Sequence, residues 1–481
     1  MGLSDLFKSK DEMNLTEGGI AKPLFFLSLP IVITNLLQTA YNLADTFWLA
    51  QVSEEALAAI TFGFPMVFLL ISLGMGLSVA GSVLVAQHTG AGEEREAEYA
   101  ASQTVMFAFV ASTILGVAGY FAVHDVLWLL GARGLVLTKA VEYMEVISLG
   151  MPFLFGFFVF ISLMRGYGDT VTPMQVMFGT VVLNVVIDPL FIFSVGPIPT
   201  AFDGVRGAAI ATVISRFVAT AVGLSIMFAG NRGVQIRLAQ MAPDLAFFKK
   251  MLAIGIPASV EGTGRSVSVN LMLVIVAIFS SGFIAAFGVG IRIFSVIFLP
   301  AIAVGQGVET MVGQNIGAGK PDRAKQTADA AAVGMFAALS VLAVVVFAFT
   351  EAIVAPLSPN EGVTDIAVTF LQVVAPTFGF IGVMRAYNGA FRGTGKTMVS
   401  AAIAISMLGV IRLPIAWVLS WSIEPFASWF PYATGHAGIW ASFVVSNVLG
   451  ALIAFAWFRR GTWRDADVRM PGGADAPAVD D

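Results

Sequence analysis

Residues 85–92, Val-Ala-Gln-His-Thr-Gly-Ala-Gly, recur in related form at residues 312–319 as Val-Gly-Gln-Asn-Ile-Gly-Ala-Gly, 227 positions later. A second motif repeats at the same distance. Arg-Gly-Tyr-Gly-Asp-Thr at residues 165–170 returns as Arg-Gly-Thr-Gly-Lys-Thr at residues 392–397. Two separate motifs that share one offset indicate an internal duplication, in which each half of the chain builds a related structure.

The chain between these motifs is too apolar for an ordinary soluble protein. Of its 481 residues, 57% are hydrophobic and 12% are charged, whereas soluble domains carry about 25% charged residues. Apolar stretches of roughly 20 residues, the length that crosses a bilayer, recur from residue 24 to residue 458. The sequence therefore predicts an all-α membrane protein with twelve transmembrane helices. The predicted spans are residues 24–49, 57–80, 99–123, 137–164, 173–196, 207–229, 251–280, 284–308, 331–355, 364–391, 398–421 and 437–458.

These spans fall into two blocks of six, divided by the connection between the sixth and seventh spans. The predicted parts are a cytoplasmic N-terminus at 1–23, an N-lobe at 24–230, a cytoplasmic linker at 231–250, a C-lobe at 251–458 and a disordered cytoplasmic tail at 459–481. An even number of helices per lobe preserves the direction of the chain, so the two lobes are predicted to be pseudo-symmetric about an axis along the membrane normal. Transporters with such parallel repeats bind substrate between the lobes and alternate access by rocking them.

The distribution of basic residues predicts the orientation. With both termini in the cytoplasm, 18 of the 26 Lys and Arg residues fall in cytoplasmic segments, 3 fall in outer loops, and the other five lie within spans. Cytoplasmic segments of membrane proteins are enriched in Lys and Arg. We therefore expect both termini to lie in the cytoplasm.

The residue inventory argues against an enzyme or a channel. The chain has no cysteine, and its three histidines form no metal-binding pair. It has no pairing of a nucleophile with a base and no repeated filter loop. We expect no cofactor and no nucleic-acid partner.

The first span carries a stripe of polar residues. Asn35, Gln38, Asn42 and Asp45 are spaced by 3, 4 and 3 positions, which places them on one face of a helix, and Tyr41 flanks them. In a membrane this face must turn toward the bundle interior or a wet cavity. Interhelical hydrogen bonding is the alternative use of such a stripe. We expect Asn35, Gln38, Tyr41 and Asn42 to line a substrate cavity. Asp45, a costly buried carboxylate, is expected to have a function.

The fifth span holds a second carboxylate. Asn184 and Asp188 are four residues apart and share a helix face. Pro189 lacks an N–H group, which leaves the carbonyl of Val185 without its helical partner. A carboxylate, an amide oxygen and a freed carbonyl suit Na⁺ or a proton-binding carboxylate.

The second half carries intramembrane arginines instead. Glu261 and Arg265 have the spacing of an intrahelical ion pair, and Arg292, Arg385 and Arg412 also lie within predicted spans. These residues form either a structural network or a basic wall that repels cations or binds an anionic headgroup.

Together these motifs resemble the multidrug and toxic compound extrusion (MATE) family over residues 20–460. The doubled motifs carry the resemblance, as do Asn-Leu-Leu-Gln-Thr-Ala-Tyr-Asn-Leu-Ala-Asp-Thr at 35–46 and Gly-Ala-Ala-Ile-Ala-Thr at 207–212. It is closest to the DinF-like branch, in which the ion-coupling carboxylates lie in the N-terminal half. The resemblance implies export of amphipathic, often cationic, compounds in exchange for inward Na⁺ or H⁺. It also implies an ion site at Asp45, Asn184 and Asp188, with Tyr143 and Thr212 as neighbours.

The same resemblance sets the remaining expectations. The protein is expected to be a monomer in the plasma membrane of a prokaryote, with the lipid bilayer and small amphipathic substrates as its partners. A flippase for lipid-linked oligosaccharides is the nearest alternative, although such proteins usually have a basic cavity and here the basic residues lie in one half. Pro30 is predicted to bend the first helix, because it cannot hydrogen-bond to the carbonyl of Phe26. Pro257 lies at the equivalent position of the second half, again 227 residues away.

Overall fold

The computed structural model describes residues 14–196, 204–358, 360–421, 436–464 and 466–469. The regular secondary structure of these residues is helical throughout. Numbered in chain order, the α-helices are α1 (Ala21–Ala50), α2 (Glu54–Ala91), α3 (Glu94–Leu129), α4 (Gly134–Leu149), α5 (Met151–Tyr167), α6 (Val171–Ile192), α7 (Gly204–Ala229), α8 (Leu245–Val276), α9 (Ser281–Ile297), α10 (Leu299–Gly317), α11 (Pro321–Ala348), α12 (Thr350–Val354), α13 (Glu361–Val374), α14 (Phe378–Gly393), α15 (Thr397–Ile405), α16 (Leu413–Ser420) and α17 (His436–Arg459).

Each of the twelve predicted spans coincides with one of these helices or with a consecutive pair. Ten segments of the described chain are long and apolar enough to cross a membrane, and the bent pair α4–α5 makes an eleventh. The twelfth is α8, which has 32 residues. Glu261, Arg265 and Asn270 interrupt its apolar sequence.

Several spans that were predicted as single helices are broken. The span predicted at 137–164 consists of α4 and α5, which meet at Gly150 with a bend of 56°. Pro152 stands at the start of α5, where its missing N–H costs no helical hydrogen bond. Pro300 and Pro376 lie at the corresponding breaks before α10 and α14. A further irregularity, a π-helical turn at Ser406–Arg412, separates α15 from α16.

The repeated Gln-x-x-Gly-Ala-Gly motifs form the last turns of α2 and α10, and these two helices pack against each other. The Gln87 amide donates to the carbonyl oxygen of Gly393 over 3.1 Å. In return, the Gln314 amide donates to the carbonyl of Gly166 over 3.1 Å. Each glutamine thus binds the Arg-Gly motif of the opposite lobe, so the two duplicated motifs join the lobes to each other.

The two glycines of this interface allow the helices to touch. A Cβ atom on Gly90 would overlap the backbone carbonyl of Gln314, and a Cβ atom on Gly317 would overlap that of Gln87. Only a residue without a side chain permits this approach. We call these four residues the glutamine–glycine latch.

Each end of the described chain crosses to the opposite lobe near the latch. Before α1, the carbonyl of Leu15 accepts from the Asn315 amide over 3.0 Å. After α17, the backbone N–H of Val468 donates to Gln87 Oε1 over 2.9 Å, and Arg469 forms an ion pair with Glu93 at 2.9 Å. The predicted tail at 459–481 is otherwise described only in part, since residues 465 and 470–481 lie outside the described residues, as does most of the N-terminal segment 1–23.

Candidate functional site

A cavity of about 390 Å³ lies between the lobes. The N-lobe helices α1, α2, α5 and α6 form one side of it, and α8, α10 and α14 form the other. From the predicted polar stripe, Asn35 and Gln38 line this cavity. Asn42 lies one turn further along α1, where its Oδ1 accepts from the Gln38 amide over 3.1 Å. Tyr41 is buried behind the cavity wall, with 2% of its surface exposed.

The two predicted carboxylates meet within the N-lobe. Asp45 of α1 and Asp188 of α6 are buried, and their carboxyl groups are close enough to interact with each other. The Asn184 amide donates to Asp188 Oδ1 over 2.7 Å. The Thr212 hydroxyl donates to Asp45 Oδ2 over 3.5 Å, a long hydrogen bond. The packing of α1 against α6 thereby brings together residues that are 143 positions apart in sequence, from 45 to 188.

Three oxygen atoms of this cluster have unmet hydrogen-bonding capacity. Asp45 Oδ1, Asn184 Oδ1 and Asp188 Oδ2 are buried and have no hydrogen-bond partner among the described residues. Tyr143, from α4, is buried within electrostatic reach of both carboxylates. Buried acceptors are almost always satisfied, and facing carboxylates repel each other unless a proton or a cation lies between them. The arrangement therefore suits a bound H⁺ or Na⁺.

The candidate site differs from a transition-metal site. Among the residues that the structure describes, no group of three or more His, Cys, Asp or Glu side chains is arranged to hold a metal ion. The donors at Asp45, Asn184 and Asp188 are hard oxygen atoms, which suit a proton or an alkali cation better than a soft metal.

Arg216 connects this cluster to the cavity, and the sequence prediction did not include it. Its guanidinium donates to Gln38 Oε1 over 3.0 Å and lies over the ring of Tyr41 at 4.4 Å. The side chain is buried. It was recognisable in the sequence, because it follows Thr212 by four residues and so occupies the same face of an apolar span.

A network of buried ions lines the cavity. Arg392 binds both glutamates, with Nη1 at 3.0 Å from Glu261 and Nε at 2.9 Å from Glu309. Arg165, from the N-lobe, lies 3.7 Å from Glu309. The predicted pair of Glu261 and Arg265 is present at 3.7 Å, which is longer than the contact of Glu261 with Arg392. The network therefore spans both lobes.

Two of these arginines were counted in the sequence as cytoplasmic cations. The structure buries Arg165 and leaves only 12% of the Arg392 side chain exposed. They occupy the last turns of α5 and α14, and the adjacent Gly166 and Gly393 pack closely on the backbones of Ser82 and Glu309. A glycine beside each arginine lets a neighbouring helix cover it. The sequence contained one indication that these arginines have a structural role, because both occupy the same position in the repeated motif.

The other members of the predicted C-lobe network are dispersed. Arg385 lines the cavity together with Glu261 and Arg265. Arg292 is exposed on α9. Arg412 is buried elsewhere in the C-lobe, where it donates to Ser446 Oγ over 2.9 Å and to Asn447 Oδ1 over 2.7 Å.

Pro30 lies inside α1, which continues as one helix from Ala21 to Ala50. The carbonyl oxygen of Pro30 accepts a hydrogen bond from the Thr34 hydroxyl over 2.8 Å. Thr34, Asn35 and Gln38 follow on the cavity wall. A change in the backbone at Pro30 would therefore move the polar residues that face the cavity.

Comparison with known proteins gives a consistent result for both halves. The MatE family model matches residues 30–190 and again residues 257–418. An "FAD transporter" of Shewanella oneidensis is 26% identical over 446 residues, covering 93% of this chain and 96% of that protein. A "Probable multidrug resistance protein NorM" of Thermotoga maritima is 26% identical over 446 residues, covering 92% of this chain and 93% of that protein.

Solved structures agree on the fold. A MOP superfamily transporter from Pyrococcus furiosus, described as having a binding pocket of reverse polarity, superimposes with a TM-score of 0.84 at 23% identity. The superposition covers 94% of this chain and 98% of that one. This likeness confirms the predicted all-α fold with twelve transmembrane helices in two lobes.

Proposed function

The chain belongs to the MatE family, and on this premise we propose that it is a secondary active exporter of small amphipathic organic molecules, driven by inward movement of Na⁺ or H⁺. Relatives named multidrug resistance or multidrug export proteins support the substrate class. The proposed location is the plasma membrane of a prokaryote, with both termini in the cytoplasm and the lobes at 24–230 and 251–458 moving against each other. The role is transport, without catalysis.

The set of unpartnered oxygens at Asp45, Asn184 and Asp188 carries the coupling proposal. An empty pair of facing carboxylates is unfavourable in a low-dielectric interior, because both charges cannot persist there without compensation. One proton shared by the pair would satisfy both unmet carboxylate oxygens. One Na⁺ would also be bound by the amide oxygen of Asn184. Each ion neutralises the site, so loading and release of the ion can favour different arrangements of α1 and α6.

The same helix connects the ion to the substrate. Asp45 lies on α1, and Gln38 and Asn35 of α1 line the cavity. Arg216 bonds to Gln38 and lies over Tyr41, so a shift of α1 that follows ion binding would also change the cavity wall. In this proposal, ion release on one side and substrate release on the other alternate because both depend on the position of one helix.

The proposal is tested with purified protein in sealed vesicles. Fluorescent amphipathic dyes of both charges are loaded, and their movement is followed after imposing a Na⁺ gradient, a pH gradient or neither. We expect a gradient of one ion to drive dye movement and an ionophore that collapses it to stop the movement. Dye movement at the same rate without any gradient, or no movement of any dye under either gradient, would contradict ion-coupled export.

A further inference from the structure

The cavity between the lobes carries an excess of positive charge. Its lining includes four arginines and two glutamates, which give a formal charge of +2. The lining residues that the structure describes include no Asp, Lys or His. The six are Arg165, Arg265, Arg385, Arg392, Glu261 and Glu309. A net charge of this kind is costly in a partly dehydrated cavity unless an anion enters it.

The two glutamates are already bound to other arginines. Arg392 makes the shorter contact with each of them, 3.0 Å to Glu261 and 2.9 Å to Glu309. Glu309 also faces Arg165 at 3.7 Å. The negative charge of the lining is therefore largely matched by Arg392 and Arg165, and the excess falls on the remaining two arginines.

Arg265 and Arg385 have unmet donors. The Nε–H groups of both are buried and have no hydrogen-bond acceptor among the described residues. Arg265 has one ion pair, at 3.7 Å with Glu261, and Arg385 has none in the described part of the chain. The two guanidinium groups are near enough to repel each other electrostatically. Two arginines with free donors on one cavity wall form the arrangement that binds a phosphate, sulfonate or carboxylate through paired hydrogen bonds.

Part of the uncharged lining is suited to an apolar body. Met75 and Phe158 of the N-lobe and Ile302 of the C-lobe line the same cavity. Methionine and aromatic side chains adapt to ligands of different shapes. The cavity thus combines apolar and uncharged polar side chains with one cationic corner.

We propose that this cavity selects amphipathic molecules that carry an anionic group, held by Arg265 and Arg385, with the apolar part of the ligand against the N-lobe wall. The inference rests on the proposed function, in that the cavity is taken as the substrate site. It replaces the expectation of cationic substrates that the family resemblance implied. The anionic group can belong to a soluble amphiphile or to a lipid headgroup.

Two dyes with one skeleton and different charge test the proposal. Fluorescein methyl ester is an anion at mildly alkaline pH, and the corresponding rhodamine methyl ester is a cation. Binding to the purified protein is measured by fluorescence anisotropy without any ion gradient. We expect the anionic dye to bind at least about tenfold more tightly, since charge-assisted hydrogen bonds contribute about 1.5–3 kcal/mol. Equal binding of the two dyes, or tighter binding of the cation, would overturn the proposal.

Variants locate the anion. Arg385→Gln and Arg265→Gln should each weaken binding of the anionic dye about tenfold and leave the cationic dye unaffected or bound more tightly. Arg385→Glu should reverse the preference, and Arg385→Lys should retain part of it. Arg292→Gln is the matched control, because Arg292 lies in the same lobe and is exposed outside the cavity. If all arginine variants, the control included, change the affinity for both dyes by the same factor, the cavity arginines do not select the charge of the ligand.

A lipid comparison separates the two sources of the anion. The dye measurements are made in nanodiscs of phosphatidylcholine alone and in nanodiscs that also contain phosphatidylglycerol. If phosphatidylglycerol displaces the anionic dye from the wild type and no longer does so in Arg385→Gln, the site belongs to a lipid headgroup. Unchanged dye binding would assign it to a soluble amphiphile. Because no gradient is applied, failure of ion coupling leaves this result intact, and failure of charge selection leaves ion coupling intact.

Discussion

At the scale of single residues, the N-lobe separates two kinds of buried polar group. Gln38 and Arg216 are bonded to each other, and Arg216 also stacks on Tyr41. The carboxylates of Asp45 and Asp188 instead receive one described side-chain donor each and face one another. The first group has its bonds within the protein, whereas the second has buried oxygen atoms without a partner among the described residues, and we propose that an ion binds there. Substitutions in the two groups should therefore affect transport in different ways.

Asp188→Asn should abolish gradient-driven export while the protein still folds and still binds dye. The substitution keeps the shape of the side chain and removes the charge that holds the ion. Asp45→Asn should act alike. Dye efflux from vesicles under an imposed gradient measures the loss, and fluorescence anisotropy measures the binding. Asp365→Asn, an exposed aspartate of α13, is the control. Full gradient-driven export by Asp188→Asn would place the ion site elsewhere.

Glu261→Gln should mainly reduce stability. Glu261 accepts from Arg392 at 3.0 Å and from the Ser400 hydroxyl at 2.8 Å, and its loss leaves buried arginines without an anion. Removal of one partner from a buried ion pair costs roughly 3–5 kcal/mol. Thermal unfolding in detergent should show a clear decrease, with a smaller effect on coupling than that of Asp188→Asn. A larger loss of coupling in Glu261→Gln than in Asp188→Asn would assign the ion site to the C-lobe.

At single residues, the sequence was informative where the spacing was helical. The steps from Asn35 to Asp45 and from Asn184 to Asp188 follow the helical period, so a shared face could be derived from the sequence. Arg216 and Glu309 were missed for another reason. Each is a lone charged residue in or beside an apolar span, and its partner, Gln38 or Arg392, lies on another helix. The sequence can place such a residue on a helix face, as it could for Arg216, but only tertiary packing shows which partner it meets.

At the scale of helices, apolar length located the spans and concealed their breaks. Hydropathy averages do not register Pro152 or Pro376, so α4–α5 and α13–α14 were predicted as single helices. The end of α2 was placed at residue 80, and the helix continues to Ala91. Its last turns contain Gln87 and His88, which are polar enough to indicate a loop. They are buried because the opposite lobe covers them.

Pro30→Ala should slow gradient-driven export. The substitution restores a hydrogen-bond donor inside α1 and removes the steric reason for a bend. If the bend changes between transport states, a straighter helix would hold the polar residues of α1 in one position. Export is measured across a range of pH and Na⁺ concentration.

Pro257→Ala is the matched control, because Pro257 occupies the equivalent position in α8, which lacks the carboxylate pair. It should affect export less than Pro30→Ala. Wild-type export by Pro30→Ala under all conditions would exclude a role of the bend in coupling.

Asp244 caps the N-terminus of α8 outside the membrane-spanning part, and its contribution should depend on pH. Partial burial alone would raise the pKa of its carboxyl group. The carboxyl group accepts hydrogen bonds from the backbone N–H groups of Phe247 and Ala246 and from the Tyr99 hydroxyl, and these bonds lower the pKa below its ordinary value. A depressed pKa stabilises the fold above the unfolded-state value, and the stabilisation disappears as pH falls through the folded-state value. Asp244→Ala should cost about 1 kcal/mol at neutral pH. Thermal unfolding should show this difference shrinking in acid, and a pH-independent difference would contradict it.

At the scale of the whole molecule, the duplication preserved the backbone, and the side chains diverged. The two matches to the family model begin at residues 30 and 257, the same 227 positions apart as the motifs. The latch is correspondingly symmetric. The charged side chains are not, since the carboxylate pair lies in the N-lobe, whereas Arg265 and Arg385 lie in the C-lobe. The repeat therefore predicted the architecture, whereas the charge of the cavity required the structure, because it depends on which arginines the glutamates neutralise.

The latch provides a prediction about the equilibrium between states. In this structure the lobes are in contact where Gly90 meets the backbone of Gln314 and Gly317 meets that of Gln87. Gly90→Ala places a methyl group inside that contact, so the lobes can no longer close on this side. The chain has no cysteine, so spin labels can be attached at Arg95→Cys and Asp322→Cys without a competing site. These positions are equivalent in the two lobes. Double electron–electron resonance spectroscopy should show a longer distance between the two spin labels in Gly90→Ala than in the labelled parent.

The control must separate a clash from a general effect of alanine in a helix. Alanine is favoured over glycine by roughly 0.5–1 kcal/mol within helices, so Gly90→Ala should stabilise α2 if packing were irrelevant. Gly334→Ala in α11 makes the same exchange with no atom within 4 Å of the new Cβ, and it should leave the label distance unchanged. Gly317→Ala should lengthen the distance as Gly90→Ala does, because the contact is reciprocal. If Gly90→Ala and Gly317→Ala both retain the parent distance and the parent rate of export, the latch does not control the closing of the lobes. If they lengthen the distance and slow export together, the repeated motif is the contact that must break and re-form in each transport cycle.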